Sequence, residues 1–352
     1  MQGKQYNTVY DILKRNNLNN QNGVAINYYD KRIRFEKLFK IVEKVAESFK
    51  RAGVKKGKVV TICMQMMPEL AYSFCALNKL GAIANLVNPG INGDKIINYI
   101  QETDSEIVVM VESCYNEISQ MIAQTKVRKV VVVSIAESYP FDRRHGYDFR
   151  QKIFGKRVEI PWNSLYVSWA DFIRTSEEYN REVYFENEIG MPAVITHTDE
   201  AGGESKGIIW SAECLKSIIT GAMHSLKYWE CRETFLDVLP GFTVFGLVYG
   251  LIIPQCIGME VQMVPHYIPE KFATTFIKCR PNHTLCNVGE LDVLYNNRNT
   301  QNMDLFFTNS VSTYEELSDN AWKMRMNKFL NERGSRAKVA IIENPFRQSF
   351  SN

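Results

Sequence analysis

The chain has 352 residues, which at roughly 150 residues per domain points to about two globular units or one large composite unit. Its 45% hydrophobic, 23% charged and 12% aromatic content supplies a full core and excludes disordered, low-complexity and collagen-like classes. The 42 Lys and Arg against 39 Asp and Glu leave +3, spread along both halves, so no one-sided basic face predicts a nucleic-acid partner.

In chain order, Phe35, Leu38, Phe39, Val42, Val45, Ala46 and Phe49 recur at helical spacing, and Gly53 follows as a stop, so an amphipathic helix is expected over 34–50. Strand and helix then alternate: strand 59–63, helix 68–80, strand 82–87 closed by Pro89, helix 96–101, strand 107–111, helix 115–123, strand 130–133. Short, continuously apolar strands with helical crossovers mark a parallel sheet covered on both faces. Residues 138–190 break this rhythm and read as an irregular excursion between two lobes. A second series begins with a strand at 193–196 and a loop to Gly207. It continues with helix 212–224, strand 235–239, a helix near 244–253, strand 261–264, helix 270–279 and strand 283–288. A helix from Glu290, strand 305–308, helix 315–330 and strand 339–342 complete it. The expected fold class is α/β, with two αβα lobes of mostly parallel sheet, approximately 57–210 and 211–352, and helix 34–53 packing between or onto them.

The eight cysteines, Cys63, Cys75, Cys114, Cys214, Cys231, Cys256, Cys279 and Cys286, never fall at two-residue spacing and read as reduced residues of the interior. With no charged-then-apolar leader ahead of Tyr6, the expected location is cytoplasmic. The stretch from Val238 to Met259 is uncharged and long enough to cross a bilayer, but Pro240, Gly241, Pro254 and Gln255 interrupt it. A strand, a turn, a short buried helix and a second strand are expected there, and no membrane span.

Two segments carry residues suited to chemistry. The first runs from Thr196 to Gly207 between two apolar β-type stretches. Gly202, Gly203 and Gly207 would let backbone N–H groups approach phosphate oxygens, and Lys206 would supply a point charge. Walker spacing is absent, and Asp199, Glu200 and Glu204 place three carboxylates on the same loop. Two like charges about 4 Å apart repel by around 1 kcal/mol in water and by several times that in a partly dry site. A solvated acidic surface loop is therefore the competing reading. Residues 203–207 also satisfy the five-residue serine elbow, with Asp237 and His266 or His283 available as triad partners. The β character of Ile208, Ile209 and Trp210 denies that elbow its following helix. The second segment, Leu239 to Gly246, turns from a strand end into a helix. Loops at the carboxyl ends of parallel strands bind ligands in open α/β sheets, so Phe242, Thr243, Phe245 and Gly246 read either as the wall of an apolar pocket or as core. Cys279, His283 and Cys286 are too unevenly spaced for a closed metal site, and no metal ligands are assigned.

In this order the segments resemble the adenylate-forming superfamily of acyl-CoA synthetases, nonribosomal adenylation domains and luciferases, over about 6–338. Residues 53–60 resemble "GVKKGDRV", 78–89 resemble "LKAGAVAVPLNP", 239–246 resemble "LPLFHVYG" and 280–283 resemble the "KPTH" step. The family's "TSGTTGEPKG" phosphate loop corresponds to 198–207, where Thr198, Lys206 and Gly207 survive while Asp199 and Glu200 replace the serine and glycine. The histidine of the aromatic motif is Thr243, the adenine segment has become Ser312 to Glu316, and the span that should carry "GYGMTE", near 342–347, keeps none of its character. The resemblance thus implies a truncated N-terminal adenylation-type domain over 1–352, without the C-terminal domain and its catalytic lysine. The expectation is a catalytically degenerate homologue with no catalytic residues of its own. It would keep a pocket for a small carboxylic acid or acyl ligand, or serve as a protein partner of an intact enzyme. The alternatives are a genuine carboxylate-CoA ligase, using ATP and Mg²⁺ and completed by a separately encoded C-terminal part, and a frameshifted fragment whose last residues, from about Ala340, are out of frame.

Overall fold

The structure, a computed structural model, describes residues 8–153, 158–174, 190–198, 206–264, 267–301, 305, 308, 310–313, 320–335 and 339–341. Thr8 and Asp11 form a reciprocal capping box at the start of α1 (Val9–Asn16), and a hairpin of β1 (Val24–Tyr28) and β2 (Lys31–Arg34) follows. Tyr29 and Asp30 sit at its tip with φ of 52° and 72°. Next come α2 (Phe35–Arg51), β3 (Val59–Cys63), α3 (Pro68–Lys79), β4 (Ile83–Val87), α4 (Gly93–Glu102), β5 (Ile107–Val111), α5 (Tyr115–Ile118) and β6 (Lys129–Val133). The chain continues through α6 (Phe141–Ile153), β7 (Tyr166–Ser168), α7 (Trp169–Arg174) and the hairpin of β8 (Pro192–Thr198) and β9 (Lys206–Ser211). The second series comprises α8 (Ala212–Ser225), β10 (Thr234–Asp237), a π-helical segment (Gly246–Ile252), α9 (Ile253–Ile257), β11 (Glu260–Met263), α10 (Phe272–Cys279) and β12 (His283–Cys286). It ends with α11 (Val288–Asn296), α12 (Arg298–Gln301), β13 (Ser310–Thr313), α13 (Asn320–Glu332) and β14 (Val339–Ile341).

These strands form two sheets, ordered β7-β6-β5-β3-β4-β8-β9 and β14-β13-β12-β10-β11-β1-β2. Both are parallel except at the β8–β9 and β1–β2 hairpins on one edge of each. The α/β class with mostly parallel sheets is therefore the fold. The apolar stripe of α2 is buried as its spacing required, against α3 and the first hairpin. At about 1.5–3 kcal/mol per large side chain, that burial outweighs the helix's poor intrinsic formers. One continuous core runs through both sheets, and a smaller one under α10, α11 and α13 gathers Leu236, Phe276, Leu291, Met326 and Phe329.

Several expected elements are corrected. The stretch read as irregular contains α6, β7 and α7, and β7 extends the first sheet by pairing with β6. The strand expected at 305–308 lies instead at β13, where register against β12 aligns Thr284 with Val311. Leu305 is a buried anchor whose N–H donates to the Arg333 carbonyl. The uncharged stretch after Asp237, by contrast, folds as expected into a turn and a buried helical run before β11, the run being the π-helical segment and α9, stopped by Gly258 at φ 95°. Among the described residues no helix is long and apolar enough to cross a membrane.

Each sheet contains one reversal of direction. After β3 the chain places β4 on one side and β5 on the other; after β10 it places β11 on one side and β12 on the other. Crevices open at the carboxyl ends of such strand pairs, because successive connections leave on opposite faces.

Candidate functional site

A cavity of about 320 Å³ opens at the reversal of the second sheet. Val238, Leu239, Pro240 and Phe242 come from the turn after β10, Val264 and Tyr267 follow β11, and Asn287 and Glu290 lie where β12 gives way to α11. The loop after β3 of the first sheet contributes Gln65 and Met66. The wall is mostly apolar with a few converging polar groups, the composition expected of a small-molecule site.

Local rules hold each wall in place. The Thr243 N–H and hydroxyl both donate to the Pro240 carbonyl, at 3.1 and 2.8 Å, and the hydroxyl accepts from the Gly246 N–H at 2.9 Å. A Cβ at Gly246 would collide with that same carbonyl, so only glycine closes the turn. A Cβ at Gly241 would lie 3.1 Å from the Met66 Cα, so the turn is pressed against the β3 loop. On the opposite wall, Asn287 Oδ1 accepts from the Glu290 N–H at 2.8 Å, while Glu290 Oε2 accepts from the Asn287 N–H at 2.7 Å. This box starts α11 and fixes a carboxylate on the cavity's edge. No Lys or Arg is among the described residues of the wall.

Beneath the turn, Asp237 ends β10 with 1% of its surface exposed. Its Oδ1 accepts from the Leu239 N–H at 3.0 Å, and Oδ2 has no partner among the described residues. Burial pushes its carboxyl up to about 8, so it is protonated at neutral pH. Gly250 makes the room, since a Cβ there would lie 2.6 Å from Oδ1.

The other predicted segment lies on the β8–β9 hairpin. β8 runs parallel to β4, and Thr198 faces Lys206 across the hairpin with His197 opposite Gly207. The connection between them therefore leaves the carboxyl end of β8. Residues 199–205, with Gly202 and Gly203, lie outside the described residues. Next to that connection the His197 ring stacks on Tyr99, with centroids 3.7 Å apart, and its Nε2 lies 2.7 Å from Asn85 Oδ1. The Asn85 amide nitrogen donates to Thr61 Oγ1, so its oxygen is the acceptor and His197 Nε2 carries the proton. Burial lowers the imidazole to about 4, which keeps it neutral.

Of the predicted pocket residues, Phe242 lines the cavity. Thr243 and Gly246 build its turn, while Phe245 is buried and stacked on Tyr249 at 4.9 Å. Gln65, Met66, Asn287 and Glu290 were not predicted; the Asn-x-x-Glu spacing of the capping box was the available signal for the last two. The β13 end, where the adenine segment was expected, lies beside the cavity, with Thr313 in register with Cys286 immediately before Asn287. Residues 314–319 and 342–352 lie outside the described residues, as does His266. Of the remaining triad and metal candidates, His283 pairs with Glu233 and the Cys286 thiol donates to the Ser312 carbonyl.

The model of the AMP-binding enzyme family matches residues 13–305. The acetyl-coenzyme A synthetase of Bartonella quintana (strain Toulouse) is 32% identical over 109 residues, which is 29% of this chain and 17% of that protein. The long-chain-fatty-acid–CoA ligase of Bacillus subtilis (strain 168) is 20% identical over 263 residues, 73% of this chain and 46% of that protein. The chain thus spans less than half the length of either relative. Among solved structures, the anthranilate CoA ligase AuaEII in complex with anthranoyl-AMP superposes with a TM-score of 0.75 at 16% identity, covering 95% of this chain and 59% of that one. The N-terminal domain of FACL13 from Mycobacterium tuberculosis gives 0.73 at 15% identity, covering 95% and 76%. With the family model matching across both sheets and the same fold in its solved members, the chain belongs to the AMP-binding enzyme family.

Proposed function

We propose that this chain binds a small molecule, a carboxylic acid or acyl ligand, in the cavity at β10, β11 and β12 without adenylating it, as a degenerate member of its family. The observation that carries the reading is the charge of the phosphate loop. At the start of the loop the chain places Asp199 and Glu200 where the family's serine and glycine stand, two added carboxylates where the polyphosphate of ATP would bring several more negative charges. Each close pair costs about 1 kcal/mol in water and more in a drier site, against one lysine on the loop. Glu290 on the cavity wall adds a further carboxylate and the wall supplies no cation among its described residues, so charge developing on an α-phosphate would meet repulsion there. Such a chain would act as a binding protein or as the partner of an intact enzyme.

Isothermal titration of ATP with Mg²⁺, together with pyrophosphate exchange across a panel of carboxylic acids, tests this. Silence in both from a folded sample is the expected result. Millimolar or tighter ATP binding with exchange would establish the second reading, a genuine ATP- and Mg²⁺-dependent carboxylate-CoA ligase whose remaining part is separately encoded. The retained Lys206 and Gly207 on the hairpin support that alternative.

A further inference from the structure

The reversal of the first sheet, between β3 and β5, carries a feature that neither the family's motifs nor the cavity uses. Cys63 is the last residue of β3, and Cys114 closes the short 3-10 turn (Glu112–Cys114) that begins directly after β5. β3 and β5 are adjacent and parallel, with Cys63 in register with Met110, and the turn folds back over the strand end. The two sulfurs meet at 3.8 Å, and the Cys114 thiol also donates to the Pro89 carbonyl at 3.6 Å, beyond the end of β4. Both residues are buried, so their side chains are held against one another by the surrounding core.

The geometry points to Cys63 and Cys114 as a redox-modifiable dithiol that closes to an intramolecular disulfide when a peroxide reaches it. A sulfur–sulfur bond needs about 2.05 Å, so closure has to draw the two sulfurs together from their 3.8 Å contact. With the Cys114 thiol directed to the Pro89 carbonyl, the contact between the two sulfurs lowers Cys114, whereas that same contact and burial hold Cys63 well above its ordinary value. Cys114 is therefore the attacking thiolate. Its sulfur attacks one peroxide oxygen, the O–O bond breaks, and the departing hydroxide takes a proton to leave as water, giving the Cys114 sulfenic acid. The Cys63 sulfur then attacks the Cys114 sulfur, the S–O bond breaks, and hydroxide leaves with the Cys63 proton as a second water. Two thiols are oxidised and one peroxide is reduced. Gln65 and Met66, two and three residues beyond Cys63, wall the cavity of the second sheet, so the new bond would tether one of its walls.

The test treats the reduced, folded full chain with increasing hydrogen peroxide, unfolds it in alkylating reagent, and maps the thiols by mass spectrometry. A Cys63–Cys114 linked peptide is expected at oxidant levels that leave the other buried thiols alkylated, with alkylation of both restored by dithiothreitol. The cross-link closes a loop of about fifty residues, which should raise the Tm by roughly 5 °C. In C63S the cross-link should vanish and Cys114 should instead be trapped as a dimedone adduct, a readout that a merely packed thiol would not give. Exposed Cys231 oxidising while Cys63 and Cys114 both stay fully alkylatable would overturn the proposal, as would a cross-link that appears only after unfolding.

Discussion

The protonated Asp237 makes a prediction that stability measurements can decide. In the unfolded chain this carboxyl ionises near 3.8, whereas in the fold burial holds it at about 8. As pH rises between those values the unfolded state loses its proton while the folded state keeps it, so the fold loses stability throughout that window and the loss levels off above pH 8. At 1.36 kcal/mol per pH unit the whole window amounts to about 6 kcal/mol, of which about 4 falls between pH 5 and pH 9. Asp237→Asn keeps an oxygen to accept from the Leu239 N–H and removes the titration. Urea unfolding of both proteins at pH 5, 7 and 9 should show the variant gaining on the parent by about 4 kcal/mol from the lowest to the highest pH. Parallel pH profiles would mean that Asp237 is ionised in the fold, and with it the account of the pocket floor would fail. An Asp237→Leu variant separates charge from packing: it shares the flattened profile but sacrifices the bond to Leu239.

Other substitutions probe the walls and the junction between the sheets. Glu69 is buried with Oε1 accepting from the Ser138 hydroxyl at 2.5 Å, and burial raises its carboxyl to about 7. Glu69→Gln should therefore flatten the profile by about 3 kcal/mol, within the window between about 4.5 and 7, in the same unfolding series. Gly246→Ala forces a methyl onto the Pro240 carbonyl and should cost about 3 kcal/mol in denaturant unfolding. Asn287→Ala removes the N-cap of α11 and should cost about 1 kcal/mol, with Asn287→Asp recovering most of it.

Much of the fold was legible because its signals are local. The stripe on α2 and the apolar runs of β3, β4, β5 and β6 carry their period or their burial within a few residues. What escaped depends on distant partners. β7 is three residues long and is a strand only because β6 offers it an edge. The first hairpin turns through Tyr29 and Asp30 at positive φ, without the glycine that marks such turns, and Tyr29 is held there by ring contacts with Tyr28 at 5.1 Å and Tyr139 at 4.8 Å. At 305–308 the more apolar residues drew the strand assignment, whereas pairing with β12 selected the more polar Ser310–Thr313.

The same distinction separates the two halves of the site. The turn at 239–246 could be read in advance because a strand end, a proline and two glycines announce it within eight residues. Of its opposite walls, Asn287 and Glu290 are announced only as the capping box of α11, and Gln65 with Met66 carry no local signal at all. They meet Phe242 at the cavity from both sheets, which is a consequence of how the strands are ordered and packed and not of any motif. On the proposed reading, the cavity is kept while the phosphate loop has changed. The cavity depends on two packed sheets and one core, where substitutions are costly, whereas 199–205 joins two strands that pair with each other over Pro192–Thr198 and Lys206–Ser211. Reversing Asp199 and Glu200 to the serine and glycine they replace should therefore leave the unfolding midpoint within a degree or two while improving any ATP binding that titration detects. A large loss of stability in that double variant would show that the loop has been absorbed into the fold and that its carboxylates have structural partners.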